Sequence, residues 1–474
     1  MNQAMSSLAN TVATILLVFT CAWSQETREP QNSAVTADNW LDHQERVSWD
    51  HMQKNISPTE PKTAGGPQPQ PGIVVGALSK KDPDYYFHWV RDSAHVMAAV
   101  ADEIKAKREF VQAAPARQWI KDFLQLSRRL QKTDSPVGMG EPRFTVEGKA
   151  DTLAWSRPQY DGPALRALAV MKMLPLLDAK SDRAWRDLAL QVLKTDLDFV
   201  VSVYRKRGFD VWEEYNAENY HTRLVQLAAL DKGQRYVKSA RYRKAVADLE
   251  KVLDDHWDPA RGFLRSQVVI VATDGYTSKK TDLDSAVVVA VVDADRESGA
   301  HSVMDDRVQA TVHVLENLFR AAYPINQRED LGLAYGRYPG DTYYGGNPWF
   351  LISSDYATFY FRIVHRMKHG VPLTVSGKNA DFLKAILPEV LRMQVKPGMS
   401  IAASDPLGTA LIAGLMSRAD GIVKRLQTHT PPDGQIFEQI DKVSGKPVSS
   451  PGIGWGHSAL MTAALARRAA VSSL

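Results

Sequence analysis

Cysteine is nearly absent from this sequence, and so are the short motifs that hold metals, nucleotides or phosphates. The 474 residues include one cysteine, Cys21. They contain no Cys/His spacing typical of a zinc site, no HExxH and no GxxxxGK(S/T) loop, and the "GIGWG" of residues 452–456 lacks the preceding strand of a dinucleotide fingerprint. We therefore expect neither a metal nor a cofactor.

A strong excess of one charge and a long apolar run are missing as well. The formal net charge is +4, with basic and acidic residues interspersed, which disfavours nucleic acid as a partner. The apolar run from Val12 has about a dozen residues, too few to span a bilayer. With the small residues Ala22 and Ser24 at its end, this run predicts a signal peptide over residues 1–24, a secreted protein and no stable membrane insertion. Cys21 lies in this segment, so the mature chain would have no disulfide.

Helical periodicity dominates the rest of the chain. After a polar segment over residues 25–37, which we expect to be mobile, about twelve amphipathic patterns recur through residues 38–474 without a shift in composition that would mark a domain boundary. Strand-like alternation is confined to residues 72–77 and 266–273. The sequence therefore predicts one all-α domain, with helices that begin near Asp38, Ser93, Ala114, Gly162, Asp182, Glu218, Ser239, Leu283, Asp305, Asn347, Asn379, Asp405 and Gly456.

Aromatic and charged residues are concentrated in five loops, each placed just before a helical pattern. Loops on a rigid helical scaffold are where binding groups collect. Aromatic faces suit the C–H surface of a sugar, and charged groups suit its hydroxyls. The alternative is that these residues are helix caps and buried Tyr or Trp with satisfied polar tips. The five clusters cover residues 82–92, 153–166, 209–233, 335–350 and 434–460.

Two adjacent glutamates, Glu213 and Glu214, follow a tryptophan in the third cluster. Carboxylates are common at helix starts, where they complement the positive end of the helix dipole. That structural explanation competes with a catalytic one, in which the pair divides a chemical task.

The loop sequences resemble the five signature regions of glucoamylases, the family 15 glycoside hydrolases. The matching segments are "YFHWVRDS", "RPQYDGPALRA", "FDVWEEYNA", "GRYPGDTYYGGNPWF" and "EQIDKVSG" with "GWGHSAL", in the family's order and over about residues 38–467. The resemblance implies an (α/α)6 barrel of six inner and six outer helices, with the pocket formed by loops at one end. It also implies the compact catalytic unit without an added domain, which we expect to be a monomer.

The resemblance assigns the catalytic roles to two glutamates. It implies that Glu213 is the general acid and Glu438 the general base of an inverting, exo-acting hydrolase that releases β-D-glucose from α-1,4-glucans. An inverting enzyme needs room for water, so we expect the two carboxyl groups to lie roughly 6.5 to 9.5 Å apart. We also hypothesise that the charge of Glu214 helps to keep Glu213 protonated, while Glu214 itself contacts the sugar.

Further residues are assigned to substrate by the same resemblance. Arg91 and Asp92 would grip the terminal glucose, and Arg337 would be a third clamp. Tyr85 and Gln439 would orient the attacking water. Aromatic residues at the matching positions would form the walls and contacts of the pocket: Trp89, Trp155, Trp212, Tyr343 and Trp455.

Four positions depart from the family pattern. We expect these residues, Phe87, His88, Tyr160 and Gly340, to affect specificity beyond the terminal glucose.

Three other functions stay open. One alternative is a family member with another linkage preference, such as α-1,6-dextran or trehalose, and a second is a catalytically silent sugar-sensing domain. A barrel glycosidase acting on β-linked glucans is disfavoured by the "RPQYDGPALR" and "NPWF" matches.

Overall fold

Six helices that are buried on nearly every side form the centre of the molecule. The structure, a computed structural model, describes residues 37–58, 68–268 and 281–472. The helix Ala286–Ala294 shows why its sequence is central: it is almost wholly Ala and Val, and all of its residues except Asp293 are buried. A helix that is apolar all round belongs in a core. The inner helices are α2 (Val90–Ala106), α4 (Gly162–Met173), α6 (Tyr220–Gly233), α8 (Ala286–Ala294), α10 (Phe350–Lys368) and α14 (Gly454–Val471).

Six amphipathic helices pack around this centre. In the helix Ala113–Leu130, the buried residues Ala116, Ile120, Phe123 and Ser127 recur every three or four positions, whereas its Arg and Lys side chains face outwards. Such a stripe buries one face against the inner layer. The outer helices are α1 (Ala37–Met52), α3 (Ala113–Leu130), α5 (Arg183–Val203), α7 (Ala240–Asp254), α9 (Asp306–Ala322) and α13 (Pro406–His429).

The inner helices close into a ring. Each one packs against the next along the chain, and α14 packs against α2. Inner and outer helices alternate in sequence, so all six inner helices run in the same direction. The architecture is the predicted (α/α)6 barrel, and every predicted helix start lies within three residues of an observed one. Two short helices, α11 (Ala380–Ile386) and α12 (Glu389–Arg392), are inserted before α13.

Short antiparallel strands brace the loops. The predicted strand over residues 72–77 forms no ladder; Val74 makes one isolated bridge with Ile56. The predicted strand over residues 266–273 is confirmed at Gln267–Val268, and its remainder lies outside the described residues. The strand pairs are β1 (His88–Trp89) with β2 (Arg143–Phe144), β4 (Asn216–Asn219) between β3 (Gly208–Phe209) and β7 (Gln267–Val268), β5 (Trp257–Asp258) with β6 (Phe263–Leu264), β8 (Leu373–Thr374) with β9 (Ser400–Ile401), and β10 (Phe437–Ile440) with β11 (Pro447–Pro451).

The two predictions for the N-terminal region fall outside the described residues. These are the signal peptide over residues 1–24 and the polar segment over residues 25–37, of which only Ala37, the first residue of α1, is described. Within the described ranges, no helix is long and apolar enough to cross a membrane.

Candidate active site

One large cavity lies where the chain enters the inner helices. Its volume is about 840 Å³, and its lining comes from the segments that lead into α2, α4, α6, α10 and α14 or from their first turns. The positive ends of parallel helix dipoles point to this side of the barrel, which favours carboxylates there. The five predicted loop clusters therefore meet at a single site. The lining includes Tyr85, Trp89, Arg91, Asp92, Trp155, Trp212, Glu213, Glu214, Arg337, Tyr343, Glu438 and Trp455.

Glu213 is held by four N–H donors. Its Oε1 accepts hydrogen bonds from Trp89 Nε1 at 2.9 Å, Arg91 Nη2 at 3.0 Å and Gln159 Nε2 at 2.9 Å. Its Oε2 accepts one from Trp155 Nε1 at 2.8 Å. Hydrogen bonds of this kind fix the direction of a carboxyl group.

A tight turn presents Glu213 to the cavity. Its φ is +65°, in the left-handed region, which costs a non-glycine residue on the order of 1 to 3 kcal/mol. The side chain of Asp210 accepts a hydrogen bond from the amide of Glu214 at 2.8 Å and so stabilises the turn. Strand β4 separates both glutamates from α6, which begins at Tyr220 and has no acidic residue in its first turn. The helix-start explanation for the pair is therefore wrong.

Glu214 faces a different partner. Arg337 Nη2 donates to its Oε1 at 2.8 Å, and the hydroxyl of Tyr338 donates to its Oε2. Arg337 is itself fixed by Asp341, to which Nε and Nη2 donate at 2.8 and 2.6 Å. The two adjacent glutamates thus belong to separate hydrogen-bond networks, and Arg337 balances the charge of Glu214.

Glu438 is the second carboxyl group of the cavity and is almost fully buried, with 1% of its surface exposed. Burial raises the pKa of Glu438 to about 7, against the opposing effect of hydrogen bonds from Ser449 and Tyr85. The hydroxyl of Tyr85 donates to Oε1 at 2.7 Å, and the hydroxyl of Ser449 donates to Oε2. Tyr85 also shares a 2.6 Å hydrogen bond with the hydroxyl of Tyr343.

A β-bulge places Ser449 beside Glu438. Phe437 pairs with Pro451 but Gln439 pairs with Val448, so β11 carries one extra residue opposite Glu438. Such a bulge bends the strand and changes the direction of a side chain. Ser449 has a φ of +66°, which is consistent with a strand that is kinked at this point.

Arg91 is shared among three groups. Its Nη1 donates to Gln159 Oε1 at 2.9 Å and to Asp161 Oδ2 at 3.0 Å, whereas Nη2 reaches Glu213. The nearest approach to Asp92 is longer, 3.8 Å from Nε to Oδ2. The two neighbours are thus not simply paired with each other. Burial raises the pKa of Asp92 to about 6, although Arg91 opposes the shift.

Tryptophan side chains form much of the wall. Trp155 is the most exposed of them, at 37%, and the guanidinium of Arg143 lies 3.5 Å from its ring centroid. Arg143 also lies 4.3 Å from the ring of Phe87 and donates from Nε to Asp151 at 2.7 Å. A guanidinium placed over aromatic faces is held by cation–π attraction. Arg143 therefore holds the ring whose N–H reaches Glu213.

Comparison with known proteins gives this site a family. The family model described as "Glycosyl hydrolases family 15" matches residues 46–465. The chain belongs to glycosyl hydrolase family 15. Among curated relatives, it is 28% identical to the intracellular sporulation-specific glucoamylase of Saccharomyces cerevisiae, covering 92% of this chain and 85% of the relative. It is 29% identical to glucoamylase-1 of Schizophyllum commune, covering 98% and 79%.

Solved structures agree with the family assignment. The family 15 glucoamylase of Hypocrea jecorina superposes with a TM-score of 0.81 at 25% identity, covering 91% of this chain and 72% of that one. The Hormoconis resinae glucoamylase gives 0.80 at 26% identity, covering 92% and 74%. The resemblance to glucoamylases and the barrel fold are both confirmed.

One residue assigned by the family resemblance lies outside the cavity lining. Gln439 is fully buried and does not line the cavity. Its Oε1 accepts a hydrogen bond from Asn347 at 3.2 Å, and its Nε2 donates to the carbonyl of Tyr343 at 3.4 Å. Successive residues of a strand point to opposite sides, so Glu438 faces the cavity and Gln439 faces away. Gln439 therefore does not lie among the cavity residues and instead contacts the loop that carries Tyr343, and its role in orienting the attacking water stays a prediction.

Of the four departures from the family 15 pattern, only Phe87 lines the cavity. His88 is buried, and its Nδ1 accepts a hydrogen bond from the amide of Val74 at 3.0 Å. Tyr160 packs against Phe199, with ring centroids 6.0 Å apart. Gly340 lies at a φ of +79° in a turn. A direct effect on sugar specificity is therefore expected from Phe87 alone.

Several residues of the site carry no role in the sequence-based prediction. Gln159 lies inside a matched motif, but its contact with Glu213 is visible only in three dimensions. Arg143 follows from the pairing of Trp89 with Arg143 across β1 and β2. Ser449 depends on the bulge in β11. Tyr338 and Asp341 lie within the matched "GRYPGD" and could have been noted as polar neighbours of Arg337.

Proposed function

We propose that this family 15 hydrolase is an exo-acting, inverting glucan 1,4-α-glucosidase that releases β-D-glucose from the non-reducing ends of α-1,4-glucans. The observation that carries the proposal is that two carboxyl groups, Glu213 and Glu438, enter one cavity from different loops and in different environments. Glycosidic bonds are usually hydrolysed by such a pair. The relatives named glucoamylases support the α-1,4 linkage.

The proposed reaction is a single displacement. Protonated Glu213 donates its proton to the glycosidic oxygen while the bond from that oxygen to the anomeric carbon breaks. Ionised Glu438 takes a proton from water as the water oxygen bonds to the anomeric carbon on the opposite face. The α-linkage thereby yields β-glucose, and the two carboxyl groups are reset by exchanging protons with solvent.

In the ligand-free site, four N–H groups donate to the carboxyl group of Glu213. A proton donor must present its O–H to the glycosidic oxygen, so substrate takes over some of these N–H donors when it binds. Arg91 is the proposed candidate, since it reaches Glu213 and is also assigned to the terminal glucose. When a sugar hydroxyl accepts from Arg91, Glu213 loses a charge-assisted hydrogen bond.

Glu438 is the proposed base. Burial raises its pKa to about 7, and the hydroxyl groups of Ser449 and Tyr85, which both donate to it, oppose that rise and favour its ionised form. The attacking water would bind beside Glu438, within the same cluster of hydroxyl groups. Tyr343, which is hydrogen-bonded to Tyr85, lies at the edge of this cluster. Exo-attack follows if Arg91 and Asp92 bind the terminal glucose, because the glucan can then extend only away from them.

Two carboxamide variants test this proposal. Glu213→Gln and Glu438→Gln each keep the shape of the side chain and remove its acid–base function, so we expect kcat on maltose to fall by about 10²- to 10⁴-fold. Glu147→Gln, at a partly exposed glutamate paired with Lys149 and outside the cavity lining, is the control and should leave kcat unchanged. Full activity in either active-site variant would refute the roles given to these residues.

Parallel assays separate the alternatives. Wild-type protein should hydrolyse maltose and starch faster than isomaltose or trehalose. Faster hydrolysis of isomaltose or trehalose would indicate another linkage preference. Saturable binding of maltose without hydrolysis of any of the four substrates would indicate a sugar-sensing domain.

A further inference from the structure

A chain of buried charged groups extends from the active site into the barrel. Arg91, which contacts Glu213, donates to Asp161 Oδ2 at 3.0 Å. The same oxygen lies 3.8 Å from Nδ1 of His221, which is beyond hydrogen-bond distance, and this Nδ1 has no hydrogen-bond partner among the described residues. Nε2 of His221 lies 3.0 Å from Asp293 Oδ2. The exposed fraction of the side chains is 5% for Arg91, 1% for Asp161 and His221, and 7% for Asp293. Charges this deeply buried need partners to remain in the interior.

His221 occupies the middle of this chain because of its place on α6. It is the second residue of an inner helix, and it lies between Asp161, which caps the N-terminus of α4, and Asp293 near the end of α8. A neutral imidazole has one N–H and one lone pair. With a carboxylate on each side, a neutral ring would direct its lone pair at one of them. A doubly protonated ring donates to Asp293 and places a positive charge beside Asp161, 3.8 Å away.

The other charged groups around His221 fit this arrangement. Arg91 and His95 reach the cluster from α2, and His95 Nδ1 lies 3.6 Å from Asp293 Oδ1. Asp355 on α10 is next to Asp293, and burial raises its pKa well above the usual range. Asp161 and Asp293 are then the two carboxylates beside His221. Arg91 is shared by Asp161 and Glu213, and Arg362 also acts electrostatically on Asp293.

The far end of the chain meets a second, smaller cavity. This rear cavity has a volume of about 70 Å³ and is lined by His95, Asp293 and Asp355 among others. Trp455 lines both cavities, and the ring of His95 stacks on it with centroids 4.7 Å apart. His95 Nε2 and Asp355 Oδ2 have no hydrogen-bond partner among the described residues. Polar space of this size can hold several waters.

We propose that His221 is a positioning residue for catalysis. As an imidazolium it bridges Asp293, through a hydrogen bond, and Asp161, through charge attraction, and so holds the carboxylate that anchors Arg91. The guanidinium group of Arg91 then stays in place between Asp161 and Glu213. This inference rests on the proposed function, because its consequence is the placement of the group that donates the proton. A displacement of about 1 Å in such a group can cost 10²-fold in rate.

The test compares two replacements of buried histidines by phenylalanine. His221→Phe keeps a ring and removes both N–H groups. His301→Phe is the control, since His301 is equally buried but bonds to the hydroxyl of Tyr220 and not to Asp161 or Asp293. We expect kcat on maltose to fall by about 10-fold or more in His221→Phe and by less than about 2-fold in His301→Phe, although the two variants should lose a similar amount of Tm.

The pH dependence separates positioning from simple stabilisation. Loss of the positive charge and of the Arg91 contact changes the electrostatic environment of the two active-site carboxyl groups, so the ratio of variant to wild-type kcat/KM should vary with pH. A purely structural role would lower this ratio by the same factor at every pH and would contradict the proposal. His221→Gln, which can donate to Asp293 alone, should be intermediate. If His221→Phe does not fold, Asp293→Asn removes the second carboxylate and should act in the same direction.

Two measurements decide the bridge without any turnover. Nitrogen NMR of histidine-labelled wild-type protein should show one ring protonated on both nitrogens at pH 7, and this signal should disappear in His221→Phe. A crystal structure of the variant should show Arg91 displaced from Glu213. A neutral His221 or an unmoved Arg91 would overturn the proposal, even if the wild-type protein hydrolysed none of the substrates and the proposed function failed.

Discussion

Removal of the Ser449 hydroxyl should lower kcat/KM at acidic pH and leave it nearly unchanged at alkaline pH. Ser449 donates to Glu438, and a hydrogen bond to a charged group contributes about 1.5 to 3 kcal/mol. The Ser449→Ala variant loses this hydrogen bond, and with it part of the stabilisation of ionised Glu438. Since one pKa unit corresponds to about 1.4 kcal/mol, the pKa of Glu438 should rise by about 1 to 2 units from its value near 7.

The sign of the effect on rate follows from the part played by Glu438. A general base must be ionised, so below its pKa the active fraction falls tenfold for each unit by which that pKa rises. We expect kcat/KM on maltose to drop by about 10- to 100-fold at pH 5 and to approach the wild-type value above pH 9. Initial rates from pH 4 to pH 10 measure this ratio.

A neighbouring serine supplies the control. Ser450 is buried and hydrogen-bonds to Ser79 at 2.9 Å instead of to Glu438. Ser450→Ala should change kcat/KM by the same small factor at every pH. The reasoning would be refuted if Ser449→Ala lost activity equally across the pH range, or if both variants had the same pH dependence.

Two further predictions concern Trp155 and Glu103. Trp155→Phe keeps an aromatic wall but removes the N–H bonded to Glu213, so kcat should fall by about tenfold with little change in Tm; wild-type kcat would show that this bond does not position the acid. Burial beside Glu45 raises the pKa of Glu103 to about 9, so wild-type protein loses stability as pH rises from about 4.5 towards 9. The Glu103→Gln variant does not lose stability in this way, so it should raise Tm more at pH 8 than at pH 4. A gain in Tm that is independent of pH, or an equal gain in the exposed control Glu109→Gln, would contradict the raised pKa of Glu103.

The barrel could be predicted from the sequence because each layer leaves its own pattern. Outer helices such as Ala113–Leu130 alternate buried and exposed positions at helical spacing, and inner helices such as Ala286–Ala294 are apolar throughout. Their closure into a ring is a property of packing. The helix pattern gives no sign that α14 lies against α2, and the family resemblance supplied that expectation.

The site was predictable where a motif contains the residue and its role together. Glu213 and Glu438 lie in matched segments, and both line the cavity. The position of Gln439 outside the cavity lining was not predictable, because a motif of adjacent letters does not show that neighbouring strand residues face opposite sides. Ser449 and Arg143 were missed because a bulge and a cation–π stack depend on contacts between distant segments.

The stereochemistry of the first product tests the central claim most directly. Proton NMR recorded during the first minutes of maltose or maltotriose hydrolysis, before mutarotation, distinguishes the two anomers of glucose. The proposed single displacement predicts that new glucose released from the non-reducing end appears as the β-anomer and then equilibrates. Initial release of α-glucose would contradict the account, since it would require a covalent intermediate and a different part for Glu438.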